Sequence, residues 1–186
     1  RDGKKALRDV KEVFSKHWLF WVISGSIGFG VFYSLITFSS QYAAGWVVAT
    51  TWQTTILATP IVIALFGRKV PRSGLVFTAI IFIGIVLVNI EHAALTSVRE
   101  VLFSALPVLG AAFAYPIGNQ RVWDSRMGHH LRLPNIQHPI LDNAFARVLL
   151  LTLGSLPFWA GLLLFTSPPP PSTDQLISTA LVALLS

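Results

Sequence analysis

Apolar residues in this chain are gathered into long runs and are not interspersed with polar ones at the period of an amphipathic helix or strand. Five runs, over residues 18–41, 46–67, 73–92, 101–124 and 144–167, reach the roughly 20 residues that cross about 30 Å of hydrocarbon at about 1.5 Å per residue. A sixth, over residues 176–186, reads as the start of another span. None shows the alternation that marks a barrel strand, so the runs predict helices, whose backbone hydrogen bonds are satisfied within each segment. The expected fold class is all-α, a polytopic helical membrane protein. Residues 1–17 are charged, and the spacing of Leu7, Val10 and Phe14 predicts a short amphipathic helix at the membrane surface, with those three side chains toward lipid.

Composition agrees with the pattern. Of 186 residues, 53% are hydrophobic and 12% charged, against roughly 25% charged in a soluble domain, so there is too little polar surface to cover a globule. The net charge of +6 does not point to nucleic acid, because the basic residues sit in short loops and form no folded basic face. With no cysteine, a disulfide framework, a thiol nucleophile and a cysteine metal site are excluded.

The basic residues do set an orientation. Six lie in residues 1–17; Arg68, Lys69 and Arg72 follow the second run; Arg121, Arg126, Arg132 and Arg147 lie in or beside the loop after the fourth. Only Arg99 of the 14 falls in the alternate loops, so the positive-inside rule assigns the other 13 to the cytoplasm. One miscounted span would destroy that asymmetry. Trp18, Trp21, Trp46 and Trp123 near run ends fit an interfacial aromatic belt. The chain begins at Arg1, has no methionine before Met127 and stops inside an apolar run, which reads as an internal piece of a longer protein.

Within the runs, small residues recur four apart: Ser24 and Gly28 in the first, Gly110, Ala114 and Gly118 in the fourth. That spacing lets helix backbones approach closely. Pro60, Pro107, Pro116 and Pro157 each remove one backbone hydrogen bond inside a span. Around Trp52 and Gln53 stand Thr50, Thr51, Thr54 and Thr55; a threonine hydroxyl can return to its own helix backbone, whereas the Gln53 amide needs a neighbouring helix or water. Asn119 poses the same requirement, with Tyr115 one turn earlier on the same face.

No charged residue falls in the middle of a run. Glu91 with His92, and Arg121 with Asp124, lie near ends, where snorkelling makes charge inexpensive; Glu91 is the nearest candidate for a coupling carboxylate. His129, His130 and His138 share a loop without the spacing of a metal motif, so no metal site is expected. No phosphate-binding loop or nucleophile elbow is present. Neither an enzyme nor a bound cofactor is expected.

The strings GFGVFYSLITFSSQYAAGWVVATTWQTTI, residues 28–56, and LPVLGAAFAYPIGNQRVWD, residues 106–124, resemble the putative multidrug resistance efflux transporter family of the drug/metabolite transporter superfamily. The resemblance runs over about residues 18–160 and implies a fragment of a ten-helix, inverted-repeat transporter. On that map, residues 1–17 are a cytoplasmic loop, 18–92 are three transmembrane helices ending a first five-helix half, and 93–186 are two helices and the start of a third, beginning the second half. The superfamily's frequent glycine and glutamate after helix four stand here as Gly67 and Arg68.

The function expected is secondary transport, the efflux of drugs or small organic metabolites, by a multi-pass protein of the cell membrane. Tyr33, Trp52, Gln53, Tyr115 and Asn119 are the candidate substrate-binding residues, being the polar and aromatic side chains of otherwise apolar spans. Expected partners are the lipid bilayer, a small organic substrate and, as an option, a second copy in a homodimer. Two other readings stay open: a membrane-embedded enzyme or assembly factor, which needs convergent acid, base or metal ligands at one depth, and a non-transporting structural or receptor protein.

Overall fold

The computed structural model describes residues 2–95, 98–128, 132–167 and 169–185, with the side chains of 2, 46–47, 88–95, 98–101, 182–183 and 185 left aside. Among the described residues there are helices and turns and no strand. Helix α1 is Asp2–Lys16. The first apolar run forms α2 (Trp18–Gly25), a π-helical turn (Ser26–Val31) and α3 (Phe32–Ser39), which continue one another. The second run divides into α4 (Gly45–Trp52) and α5 (Thr55–Leu65). Helix α6 is Arg72–Leu95, α7 is Val98–Met127, α8 is Ala144–Thr166 and α9 is Thr173–Leu185.

Four stretches are long and apolar enough to cross a membrane: Trp18–Ser39, Val48–Leu65, Leu102–Met127 and Ala144–Thr166. In α6, 24 residues long, a shorter apolar stretch covers Arg72–Leu87. The side chains of Glu91 and His92 lie outside the described residues.

The first span is the hub, packing on α7 along one side and on α8 along another. Glycine makes both crossings. A Cβ on Gly118 would overlap the backbone of Gly28 and the Ser24 carbonyl, and one on Gly154 would overlap the Trp21 carbonyl. Where no side chain intervenes, backbones come close enough for dispersion and weak hydrogen bonds to hold helices that lipid does not push together. The four-residue spacing of small residues is thus used for helix contact, and the sequence pattern did not show the second pair, Gly25 with Gly154.

Helix α1 corrects its expected placement. Val10 and Val13 are buried with Phe20, Trp21, Val122, Ile136, Leu141 and Leu150 in the main apolar cluster, and Phe14 packs against it. Of the three residues expected to face lipid, Leu7 is the exposed one. Trp21, expected in an interfacial belt, is fully buried, and its Nε1 donates to the Val13 carbonyl at 3.3 Å. Folding α1 back over the first span hides both residues. Trp18 stays exposed at the same end.

The basic segments meet at that end of the bundle. Helix α1 packs on α8 and on the 3₁₀ turn Pro139–Asp142. The Ile136 amide donates to Ser125 O at 2.9 Å, the Ser125 hydroxyl donates to Pro134 O, and Arg126 pairs with Asp142. The His138 ring Nδ1 accepts from the Ile140 amide at 3.1 Å, capping the turn; His129 and His130 lie outside the described residues. At the head of α2, partial burial and then Lys16 lower the His17 pKa from its usual value.

Candidate substrate site

The second span is interrupted where its polar residues cluster. The amides of Gln53, Thr54, Ile56 and Leu57 each donate to the carbonyl three residues back, tightening the helix into a 3₁₀ kink between α4 and α5. The Thr54 hydroxyl takes the Thr51 carbonyl at 2.7 Å and that of Thr59 takes Thr55 O at 2.7 Å. These threonines therefore satisfy themselves within their own helix. Thr55 Oγ1 is buried with no hydrogen-bond partner among the described residues. The kink turns Trp52 toward the first span and leaves the Gln53 side chain exposed.

Rings from three separate stretches converge there. Phe32 lies 4.7 Å from Tyr33, 5.6 Å from Trp52 and 5.2 Å from Tyr115, centroid to centroid. Phe29 stacks parallel to Tyr115 at 6.5 Å, and Trp52 meets Tyr115 edge-on at 6.4 Å. Phe29 belongs to the π-helical turn, a wider and weaker helix form common at functional sites. Tyr115 precedes Pro116, which has no amide to give to the carbonyl one turn back, so α7 is also loosened at the cluster.

Below Tyr115 a cleft of about 340 Å³ opens between α5, α7 and α8, within the usual range for a small-molecule site. Tyr115, Asn119, Gln120 and Thr59 give it polar atoms, and Val62, Ile63 and Leu151 give it apolar walls. Asn119 Nδ2 donates to Tyr115 O at 2.9 Å, which fixes the amide against its own helix. Arg126 and Arg147 are also in its lining. A second opening of about 650 Å³, which also has Arg68 and Lys69 in its lining, shares Ile63, Gln120 and Trp123 with the cleft.

Of the five candidates, the structure brings Tyr33, Trp52 and Tyr115 into one aromatic cluster, and it puts Tyr115 and Asn119 in the cleft lining. Gln53 lies apart, on the open side of the kink. Reading by residue type passed over Phe29 and Phe32, which look like ordinary span residues. Only the spacing of Phe29 from Phe32 and Tyr33, three and four positions on, hinted at a ring stripe.

Charge at the end of α7 is also arranged differently from the expected snorkelling pair. Asp124 is 1% exposed and is held by Arg68 at 2.6 Å and by Gln120 Nε2 at 2.9 Å. Arg121 turns the other way, donating to the Ser24 hydroxyl at 3.0 Å and lying 5.6 Å from the Phe20 ring centre. Asp124 is thus shut away from water, while Arg121 is half-buried against the first span. The left-handed turn at Gly67, φ 78°, is what lets the chain reverse and present Arg68 to Asp124. Among the described residues, no three His, Cys, Asp or Glu side chains come together as metal ligands would.

A family model described as a putative multidrug resistance efflux transporter matches residues 2–186. The uncharacterized protein YjlA of Bacillus subtilis is 37% identical over 182 residues, 90% of this chain and 52% of that protein. An uncharacterized 42.1 kDa protein of Shouchella clausii, named for its position beside an intracellular alkaline protease gene, is 33% identical over 181 residues, 91% of this chain and 44% of that protein. The chain spans about half the length of these relatives. No solved structure matches.

Proposed function

The chain belongs to the putative multidrug resistance efflux transporter family, a family of helical membrane transporters, and from that premise we propose that it is part of a secondary transporter exporting small organic molecules across the cell membrane. Tyr33, Trp52, Tyr115 and Asn119 flank the substrate path, and Gln53 faces the helices that complete it. The basic end of the bundle, with α1 and the loop after α7, lies in the cytoplasm.

The observation that carries this reading is the junction of the aromatic cluster and the cleft at Tyr115, where three spans are each locally loosened. A π-helical turn, a 3₁₀ kink and a proline stand in adjoining helices around one set of rings. Flat rings offer apolar contact to many shapes at little ordering cost, and broken helices concentrate at transporter binding sites near the bilayer midplane. The size of the cleft suits a small organic molecule.

The test is uptake into proteoliposomes holding the full-length protein, driven by an imposed ion gradient without ATP and followed with aromatic dyes of positive, zero and negative charge. Trp52→Ala and Gln53→Leu should each cut transport per folded molecule several-fold, while detergent thermal stability changes little for Gln53→Leu, whose side chain makes no described hydrogen bond. If both variants move every dye at the wild-type rate, these residues do not line the path.

A further inference from the structure

The charges around the cleft are of one sign. Arg126 and Arg147 line it, the other polar lining groups are neutral, and no carboxylate is among the lining residues. The two nearby carboxylates are engaged: Asp124 by Arg68 and Gln120, and Asp142 by Arg126. The adjoining opening adds Arg68 and Lys69. With Arg126 matched by Asp142 and Arg68 by Asp124, Arg147 and Lys69 are left as an excess of positive charge around the cleft and the adjoining opening.

The positive-inside rule accounts for basic residues being at this end, but not for their lining a cleft. Arg147 in particular sits in the first turn of α8, four residues after the Asn143 cap, where the helix dipole disfavours a cation. It is held by Nη1 alone among the described residues, donating to Leu141 O at 2.5 Å and Asp142 O at 3.2 Å. That grip fixes the guanidinium plane beside the cleft and leaves the fork geometry suited to a carboxylate or sulfonate. Trp123, Val62, Leu151 and Tyr115 share the lining with the arginines.

We infer that the cleft binds a small organic anion, its acidic group on Arg147 beside the Arg126–Asp142 pair and its flat apolar body among the remaining lining residues, Tyr115 included. The inference rests on the transport reading only in taking this anion to be the cargo; binding itself can be measured separately. A phospholipid headgroup presents the same anionic chemistry, so the experiment must distinguish a free anion from lipid.

Full-length protein in phosphatidylcholine nanodiscs should be titrated with naphthalenesulfonate and with naphthyltrimethylammonium, the same ring carrying the opposite charge. The sulfonate should bind at least ten-fold more tightly. Arg147→Gln should weaken it about ten-fold or more, as expected for the loss of one charge-assisted contact, and Arg147→Lys should weaken it less. Because Arg147 also holds two carbonyls, Arg126→Gln serves as a second variant, and it should weaken the sulfonate in the same direction. Equal or tighter binding of the cation, or sulfonate binding unchanged in both glutamine variants, overturns the inference. So does a ten-fold loss of sulfonate binding when phosphatidylglycerol replaces part of the lipid, since the site would then belong to a headgroup. If the sulfonate binds as expected but is not moved in proteoliposomes, the site stands and the transport reading fails. If a cation is transported and the sulfonate binds no more tightly than the cation, transport stands and the anion site fails.

Discussion

Removing Arg68 should harm this protein more than removing the aspartate it holds. Asp124 is 1% exposed and Arg68 29%, so the carboxylate is the member of the pair cut off from water. At 2.6 Å and an effective dielectric of about 20, two unit charges attract by roughly 6 kcal/mol, most of which offsets the cost of desolvating them. Arg68→Leu leaves a buried carboxylate with the single described donor Gln120 Nε2, a situation that costs about 3–5 kcal/mol. Asp124→Leu leaves a guanidinium that water can still reach and an unmet Gln120 amide, about 1–3 kcal/mol in all. Replacing both by leucine removes the charges together and should recover much of the loss, because apolar residues of similar volume often do as well as a buried pair. Thermal unfolding of the full-length protein and the three variants in one detergent, followed by intrinsic tryptophan fluorescence, gives the order. The expected order of destabilisation is Arg68→Leu, then Asp124→Leu, then the double variant. Equal single effects that add within about 0.5 kcal/mol would show that the two side chains are not coupled and that Asp124 is hydrated.

Gly118→Val should prevent normal assembly, since its side chain would occupy the space of the Gly28 backbone, whereas Gly161→Ala, with nothing within 4 Å of the added Cβ, should fold at least as well as wild type; the fraction of monodisperse protein on size-exclusion chromatography checks both. Topology is testable with single cysteines at Gln137 and Ser172, both exposed, which an impermeant thiol reagent should label from opposite sides of the membrane. Ser125, in the last turn of α7, is unsuitable for this because it is buried with its hydroxyl on Pro134 O.

Helical membrane character follows from the sequence alone because it depends on run length and on the absence of charge within runs, both local properties. Lipid leaves a backbone no solution other than an internal hydrogen-bond ladder. The use of small residues at helix crossings was legible for the same reason, since spacing of four on a helix defines one face whatever packs there. Which glycine meets which depends on how two helices cross, and this is why Gly25 with Gly154 came only from the structure. The inward face of α1 was misassigned from sequence: Leu7, Val10 and Phe14 were expected toward lipid, but an apolar stripe does not say what covers it, and the fold buries Val10 and Val13 with Trp21, Leu141 and Leu150. For the candidate site, Tyr33, Trp52 and Tyr115 stood out as residue types, but their meeting around Phe32 depends on how three separate spans pack. Arg68 and Asp124 lie 56 residues apart, each at a span end where sequence reasoning gives charge to water. Tertiary structure decided otherwise, because packing leaves Asp124 1% exposed, and a carboxylate shut away from water must find its counter-charge within the protein.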